Sequence, residues 1–462
     1  MKKTEEEVIS AGQSLTVVAD SIGVNGEGVA RANGLAVFVP GLLPGEEAEI
    51  KIETKKRQYA VGRIQKRLSS ASERVEPICP LFSRCGGCQL QHMSYQAQLA
   101  AKRQNVMDAL QRIGGLNGVS VLPVLGMEDP WYYRNKMQFP VAGGVKPLVG
   151  CFAKGSHQVI DTEKCYIQHD VNNEIARVTR DWMTRYKVPA YQEKTHSGVV
   201  RHVIGRVGVH TGQIMVVLVT NGAELPYKQE LIEMLQTEIA GLTTIVQNIN
   251  SQKTNVILGR KNQVLFGDGW IEERLDDLTF RISAHSFFQV NTLQAERLYQ
   301  KVVELADLQG AERVVDAYCG TGTIGLFVSK HCREVLGVEV VEAAIADAQE
   351  NRERNGIAAD KTSFIVGDAA IVLPKLAKDG KKADVVILDP PRAGCHPDVL
   401  QAVQDFGPEK IVYVSCNPAT LARDLAILCR ERYSVKLAQP VDMFPQTMHV
   451  ECVALLQRVE KK

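Results

Sequence analysis

Five apolar runs follow one another after Ser283: ERVVDAY (312–318), EVLGVEV (334–340), TSFIVGD (362–368), ADVVILD (383–389) and KIVYVSC (410–416). Each is parted from the next by a stretch long enough for a helical crossover. Parallel neighbours require such crossovers, and strands covered on both faces read as unbroken apolar text. Residues 283–462 are therefore expected to form a Rossmann-like α/β domain whose strand ends open on one crevice.

The rest of the chain has a different texture. Residues 14–70 alternate short β-type runs (SLTVVAD, GLAVFVP, EAEIKIE, YAVGRIQ) with Gly, Pro and Asn clusters, the pattern of a small all-β, OB-type barrel. Residues 51–67 carry seven Lys or Arg (Lys51, Lys55, Lys56, Arg57, Arg63, Lys66, Arg67) against the single acid Glu53. A charged strand edge guarded against pairing and a phosphate-contacting face for RNA both fit that stretch. Residues 71–282 read as an α+β domain, with a helix near 95–113. Residues 1–13 form an N-terminal tail without the apolar core of a signal peptide, and no run approaches the roughly 20 apolar residues of a membrane span. A cytoplasmic protein with no membrane association is expected, and no obligate protein partner is evident. With 54 basic and 53 acidic residues, bulk charge selects no partner, so any basic surface must be local.

Eleven cysteines in 462 residues, an odd number without regular spacing, do not make a disulfide framework. Cys79, Cys85 and Cys88 stand in CPLFSRCGGC, with Cys165 remote in DTEKCYI. Three close thiolates and one distant suit a [4Fe-4S] cluster; zinc more often takes two short-spaced pairs, and the second pair is missing. The Gly86-Gly87 pair also favours a chain wrapped tightly round a cluster. Zinc and unrelated buried thiols remain the alternatives. Cys151 competes for the fourth position but reads as a packed strand residue.

VVDAYCGTGTIGL (314–326) is a buried strand, a glycine-rich turn through Gly320, and a helix start near Thr323. It lacks the third glycine of the dinucleotide fingerprint and the Lys-Ser/Thr ending of a triphosphate loop. Glu339, Asp368 and Asp389 each end a later strand. Carboxylates gathered there can accept hydrogen bonds from ribose hydroxyls and an adenine amino group and tolerate a sulfonium, which points to S-adenosylmethionine. Any one of them suits helix N-capping equally well.

Cys416 ends the last run, facing the same crevice. Carbon 5 of a pyrimidine is a poor nucleophile until a thiolate adds at C6 and makes C5 an enolate carbon. The adduct then needs a base for the C5 proton, and Glu451 in MHVECV is the candidate. Alone, a strand-end Cys is ordinary packing and a single Glu on an apolar strand is ordinarily a surface group; their shared crevice gives them weight.

SFFQVN (286–291), DAYCGTGTIGL, ILDPPRAG, VSCNPATLARD and MFPQTMHVECV together resemble, in order, the motifs of the RNA uridine C5-methyltransferases. The barrel resembles a TRAM domain, and the cysteine spacing resembles the iron-sulfur site of the branch acting on 23S ribosomal RNA. The transfer RNA branch generally lacks both. By this resemblance Cys416 is the nucleophile and Glu451 the base, and the metal ligands are Cys79, Cys85, Cys88 and Cys165. Gln289, Tyr318, Gly320, Thr323, Glu339, Asp368 and Asp389 match positions near cofactor or target base. Tyr318 and Thr323 depart from a familiar Phe and Asn. The partner implied is RNA, most naturally 23S ribosomal RNA, with one uridine flipped out of its stack. The alternatives are a transfer RNA uracil-C5 enzyme, a cytosine-C5 enzyme, in which a Cys would replace Pro391, an amino-methyltransferase, for which Arg392 offers no ring, and a non-catalytic RNA-binding iron-sulfur protein.

Overall fold

The computed structural model describes residues 9–143 and 146–459. The first eight residues of the N-terminal tail lie outside them; Ile9 already packs into the barrel core.

The barrel closes in the strand order Ser14–Ile22, Glu27–Ala32, Leu35–Pro40, Tyr59–Arg67, Glu47–Lys55. Alternation does the sorting: Ala48, Ile50 and Ile52 point inward and are buried, while Lys51, Glu53 and Lys55 point out. Closure brings Gly28 so near Leu42 that a Cβ would lie 2.6 Å from the Leu42 carbonyl oxygen, which excludes any larger residue. All seven basic side chains of 51–67 are exposed. Arg63 pairs with Glu53 at 2.8 Å and Arg67 with Glu46 at 3.5 Å. Among the described residues Lys51, Lys55, Lys56, Arg57 and Lys66 have no ion-pair partner.

The middle of the chain builds a seven-stranded mixed sheet ordered Lys261–Phe266, Leu242–Ile249, Ile214–Thr220, Val200–Val207, Lys136–Gly143, Pro147–Phe152, Val159–Asp161. Helices Asp170–Tyr186 and Lys228–Glu238 cover one face. Ile204, Met215 and Val217 on the other share a core with the hairpin Trp270–Leu275/Leu278–Ser283 and the C-terminal helices.

The C-terminal sheet has eight strands ordered Thr362–Val366, Glu334–Glu339, Arg313–Asp316, Val385–Leu388, Lys410–Ser415, Glu451–Arg458, Tyr433–Val441, Ser120–Val121. The first five are mutually parallel, as the crossover spacing requires, and Glu451–Arg458 inserts antiparallel beside Lys410–Ser415. Strand order reverses at Arg313–Asp316, so the crevice lies above that strand and its neighbour Val385–Leu388. Two pieces of the middle segment join this layer. Ser120–Val121 adds its edge strand, and helix Tyr95–Arg112 packs on helix Pro418–Leu428. No helix among the described residues is long and apolar enough to cross a membrane.

Candidate active site

The turn after strand Lys410–Ser415 explains the Ser-Cys-Asn-Pro text. The Asn417 side chain caps helix Pro418–Leu428 by accepting from the Ala419 N–H at 3.0 Å, and Pro418 takes the first helical position, where no N–H is needed. The Asn417 N–H donates back to Ser415 Oγ at 3.1 Å. Cys416 is left between strand and cap, half-buried at the crevice.

The same helix holds the Asp389–Cys395 loop. Asn417 Nδ2 and Thr420 Oγ1 donate to the Arg392 carbonyl at 3.2 and 3.3 Å, and Arg423 Nη2 to that of Ala393 at 2.9 Å. Buried Asp424 accepts from the Cys395 N–H at 2.8 Å and from the Tyr413 hydroxyl at 2.5 Å. At Gly394 (φ +78°) a Cβ would collide with Arg423 and Asp424, so glycine is required. The final Ala-Arg-Asp of the motif thus fixes the loop carrying Asp389 and Arg392.

Glu451 arrives from the neighbouring strand. The antiparallel register pairs Ser415 with Cys452, which sets Glu451 level with Cys416. Glu451 is only 5% exposed. Burial first, then the Asp389 charge, push its carboxyl up to about 8, with Arg392 opposing. Burial, then Glu451, push the Cys416 thiol up to about 11, again opposed by Arg392. Burial pushes Asp389 up to about 7. The site is thus a group of proton-holding acids and a thiol with one cation in their field. A cationic occupant would favour their ionised forms.

The glycine turn sits at the crevice's far end. The Gly320 N–H (φ +53°) donates to Glu339 Oε2 at 3.2 Å, and the Val341 N–H donates to Glu339 Oε1 at 2.9 Å. A Cβ at Gly320 would meet nothing within 4 Å, so the turn faces open space. Asp368 caps helix Ala369–Lys378, accepting from Ala370 N–H at 2.8 Å through one oxygen. Thr323 opens its helix beside the buried Tyr299 hydroxyl. The Tyr318 hydroxyl meets the Cys395 thiol. Gln289 is held through its backbone, its carbonyl accepting from Asn135 Nδ2 at 2.9 Å. Val340, Val341 and Ile371 are 62%, 52% and 70% exposed next to Glu339 and Asp368. Apolar surface left open between two carboxylates suits an adenosine, so these residues fit the cofactor expected from sequence.

Cys79, Cys85, Cys88, Cys165 and also Cys151 line one cavity that extends to Arg392 and His449. The cysteine loop is pinned to the strand carrying Cys151: Gly86 N–H donates to Phe152 O at 3.0 Å and Lys154 N–H to Arg84 O at 2.9 Å. Cys151, expected to pack, does so against the core of the seven-stranded sheet, and it also neighbours both Cys85 and Cys165. By chemistry the thiol set suits a cluster. In this arrangement, however, no three Cys, His, Asp or Glu side chains among the described residues form a group able to hold a metal.

Three features escaped the sequence reading. Asp316 is fully buried with neither carboxyl oxygen hydrogen-bonded. Burial and then Asp389 push it up to about 7, and the Gly325 and Tyr318 N–H groups act against this without reaching hydrogen-bonding geometry. Arg392 is the cation facing Cys416, Glu451 and His449. The loop leading to Glu451 is clamped by helix Tyr95–Arg112: Lys102 Nζ donates to Asp442 Oδ1 at 2.5 Å and to Phe444 O at 3.0 Å. Gln98 exchanges two hydrogen bonds with Gln446, and the Gln446 carbonyl accepts from the Gln89 and Leu90 N–H groups. The sequence signal for that clamp is small: two polar residues, Gln98 and Lys102, in the inward-facing stripe of the helix.

Residues 218–459 match the family described as tRNA (Uracil-5-)-methyltransferase, and residues 11–64 match the TRAM domain. Proteins called uncharacterized RNA methyltransferase are similar over nearly the full length. That of Halalkalibacterium halodurans is 45% identical over 97% of this chain and 98% of its own. That of Clostridium tetani is 47% identical over 94% of each. The crystal structure of Pyrococcus abyssi tRNA (uracil-54, C5)-methyltransferase in complex with S-adenosyl-L-homocysteine covers 96% of this chain and 100% of that one, at 30% identity and a TM-score of 0.76.

Proposed function

The chain belongs to the RNA uracil-5-methyltransferase family, S-adenosylmethionine-dependent enzymes, and on that premise we propose that Cys416 and Glu451 carry its chemistry through a covalent adduct giving 5-methyluridine. S-adenosylmethionine supplies an electrophilic methyl group when bound. The Cys416 thiolate adds to C6 of the uracil, and the electron pair released to C5 forms the new bond to the methyl carbon while the bond from that carbon to the sulfonium sulfur breaks, its pair staying on sulfur to leave S-adenosylhomocysteine. Glu451 takes the C5 proton; the C5–C6 double bond re-forms and the Cys416 sulfur leaves with the pair of the S–C6 bond. Asp389 and Glu339 hold cofactor or base by accepting hydrogen bonds, while Gln289, Tyr318, Gly320, Thr323 and Asp368 complete the pocket.

The observation supporting this reading is the strand register that sets Glu451 level with Cys416, two groups already in each other's field. Nucleoside analysis of RNA incubated with enzyme and labelled cofactor tests it. Labelled 5-methyluridine is expected; 5-methylcytidine, or no methylated nucleoside, would contradict it.

The proposed RNA is 23S ribosomal RNA, supported by the cysteine spacing; the barrel does not discriminate, because the match to the tRNA-acting Pyrococcus abyssi enzyme covers 96% of this chain. Transfer RNA is the second reading, favoured by the substrate named for the Pyrococcus abyssi relative. Mapping the labelled nucleoside to one RNA class decides between them. The proposed second cofactor is a [4Fe-4S] cluster on Cys79, Cys85, Cys88 and Cys165, supported by their spacing and shared cavity. Protein purified without oxygen is then expected to contain about four irons per chain. Stoichiometric zinc, or neither metal, would exclude the cluster, and no step above passes through it.

A further inference from the structure

Strand Lys136–Gly143 begins with a cation set against a cation. Its antiparallel register pairs Lys136 with Arg206, although like charges directly opposite each other destabilise a sheet. Arg206 is 4% exposed and engages the Ser286 carbonyl at 2.6 Å. Arg134, two residues before Lys136, follows the same strand path, where a spacing of two puts side chains on one face. Neither the Lys136 ammonium nor the Arg134 guanidinium has a hydrogen-bond or acidic partner among the described residues. Burial, then Arg206 and Arg134, push the half-buried Lys136 ammonium down to about 7. A desolvated cation with no counter-charge is costly unless a ligand supplies one.

The cavity these two side chains line contains no Asp or Glu in its wall, and it leads past His449 to Arg392. Arg134 and Arg392 both act on His449, and Arg392 acts on Cys416, so the row of cations runs to the reacting thiol. The cleft that Cys416 itself lines, between the barrel and helix Tyr95–Arg112, meets that cavity at Arg392 and His449, and its wall mixes Asp20, Glu73 and Asp108 with Arg112. Of the two, the first has cations and no acid in its wall, the better complement to a polyanion.

We propose that Arg134 and Lys136 form a phosphodiester-binding site that holds the RNA backbone beside the target nucleotide while the base reaches Cys416. The inference rests on Cys416 being the reacting end of the crevice. A phosphate there supplies the missing counter-charge, restores the ammonium in a partly desolvated site, and offsets the Lys136–Arg206 repulsion. Such a contact positions the strand and reads no sequence.

The test is the affinity of the full-length enzyme for a short oligouridylate over a potassium chloride series, with cofactor affinity measured calorimetrically in parallel. Lys136→Met is expected to weaken RNA binding about 5- to 20-fold at low salt and to reduce the log–log salt slope by about 0.7. Lys136→Arg keeps the charge and is expected to stay near wild type, while Arg134→Met should repeat the loss. Cofactor affinity should hold in every variant. Unchanged RNA affinity and slope in both methionine variants would overturn the site. So would a parallel loss of cofactor affinity, because the cations would then serve the cofactor or the fold. Wild-type methyl transfer to bulk cellular RNA is recorded alongside: its absence would count against the Cys416 mechanism, whereas its presence with unchanged salt slopes would count against this site alone.

Discussion

Glu451→Gln is expected to trap the enzyme on its RNA. The amide keeps the size and place of the carboxyl, so Cys416 still adds to C6 and the methyl group still reaches C5. Nothing then takes the C5 proton, and sulfur cannot leave. A methyl-labelled RNA–protein complex should survive denaturation on a gel, with turnover lowered about 10²- to 10⁴-fold, the usual worth of a positioned base. Cys416→Ala should give no complex and no methyl transfer. RNA carrying 5-fluorouridine should trap the wild-type enzyme likewise, because fluorine cannot leave C5 as a proton does. The pH dependence follows from the sign of the shift. Glu451 acts as the carboxylate, and its value is raised to about 8, so resolution of the adduct should quicken as pH rises toward that value; the glutamine variant should lose this dependence. Among other thiols, Cys395 and Cys319 are 3% and 4% exposed, behind the crevice wall, and so are poor substitutes. If Glu451→Gln turned over normally, exposed His449 on the same segment would be the next base to test.

Lys102→Met is expected to be among the most damaging substitutions far from the reacting atoms. Lys102 and Asp442 are both fully buried, and the Tyr95 hydroxyl donates to the second Asp442 oxygen at 2.9 Å. Removing the ammonium leaves a buried carboxylate with its charge uncompensated, a loss of about 3–5 kcal/mol. Pairing it with Asp442→Leu removes the stranded charge as well and should restore most of that stability. Activity should not return with it. Lys102 also holds the Phe444 carbonyl, and residues 443–450 lead directly into Glu451. Denaturant unfolding, read beside the rate of adduct resolution, separates these effects. A single variant as stable as wild type, or a double variant with full turnover, would show that the clamp does not position the base.

Much of this was legible in the chain because it is written locally. Fully covered parallel strands are continuous apolar runs, and their ends put Glu339, Asp368, Asp389 and Cys416 along one edge before any coordinates are considered. The barrel was legible for the same reason, through its period of two. The clamp was not, since Lys102 and Asp442 stand 340 residues apart. Helix Tyr95–Arg112 carries Gln98 and Lys102 on its buried side, where a binary pattern expects apolar residues, so sequence gave its existence but not its role. Ser120–Val121 is too short to announce itself as a strand. Asp316 lies inside an apolar run, and only burial without a partner marks it out. Cys151 packs, as its ordinary strand text implies, against the core of the seven-stranded sheet. Its neighbours Cys85 and Cys165 reach it from distant loops, information that no local pattern holds.

The central claim is that one thiol, Cys416, bonds to C6 of a uracil whose C5 has received a methyl group. The most direct measurement is tandem mass spectrometry of the complex trapped by Glu451→Gln, digested with protease and nuclease. The account predicts one cross-linked peptide, containing Val414-Ser415-Cys416-Asn417, with the mass of a methylated uridine nucleotide attached at Cys416. Attachment at any other cysteine, or a nucleotide lacking the methyl group, would contradict it.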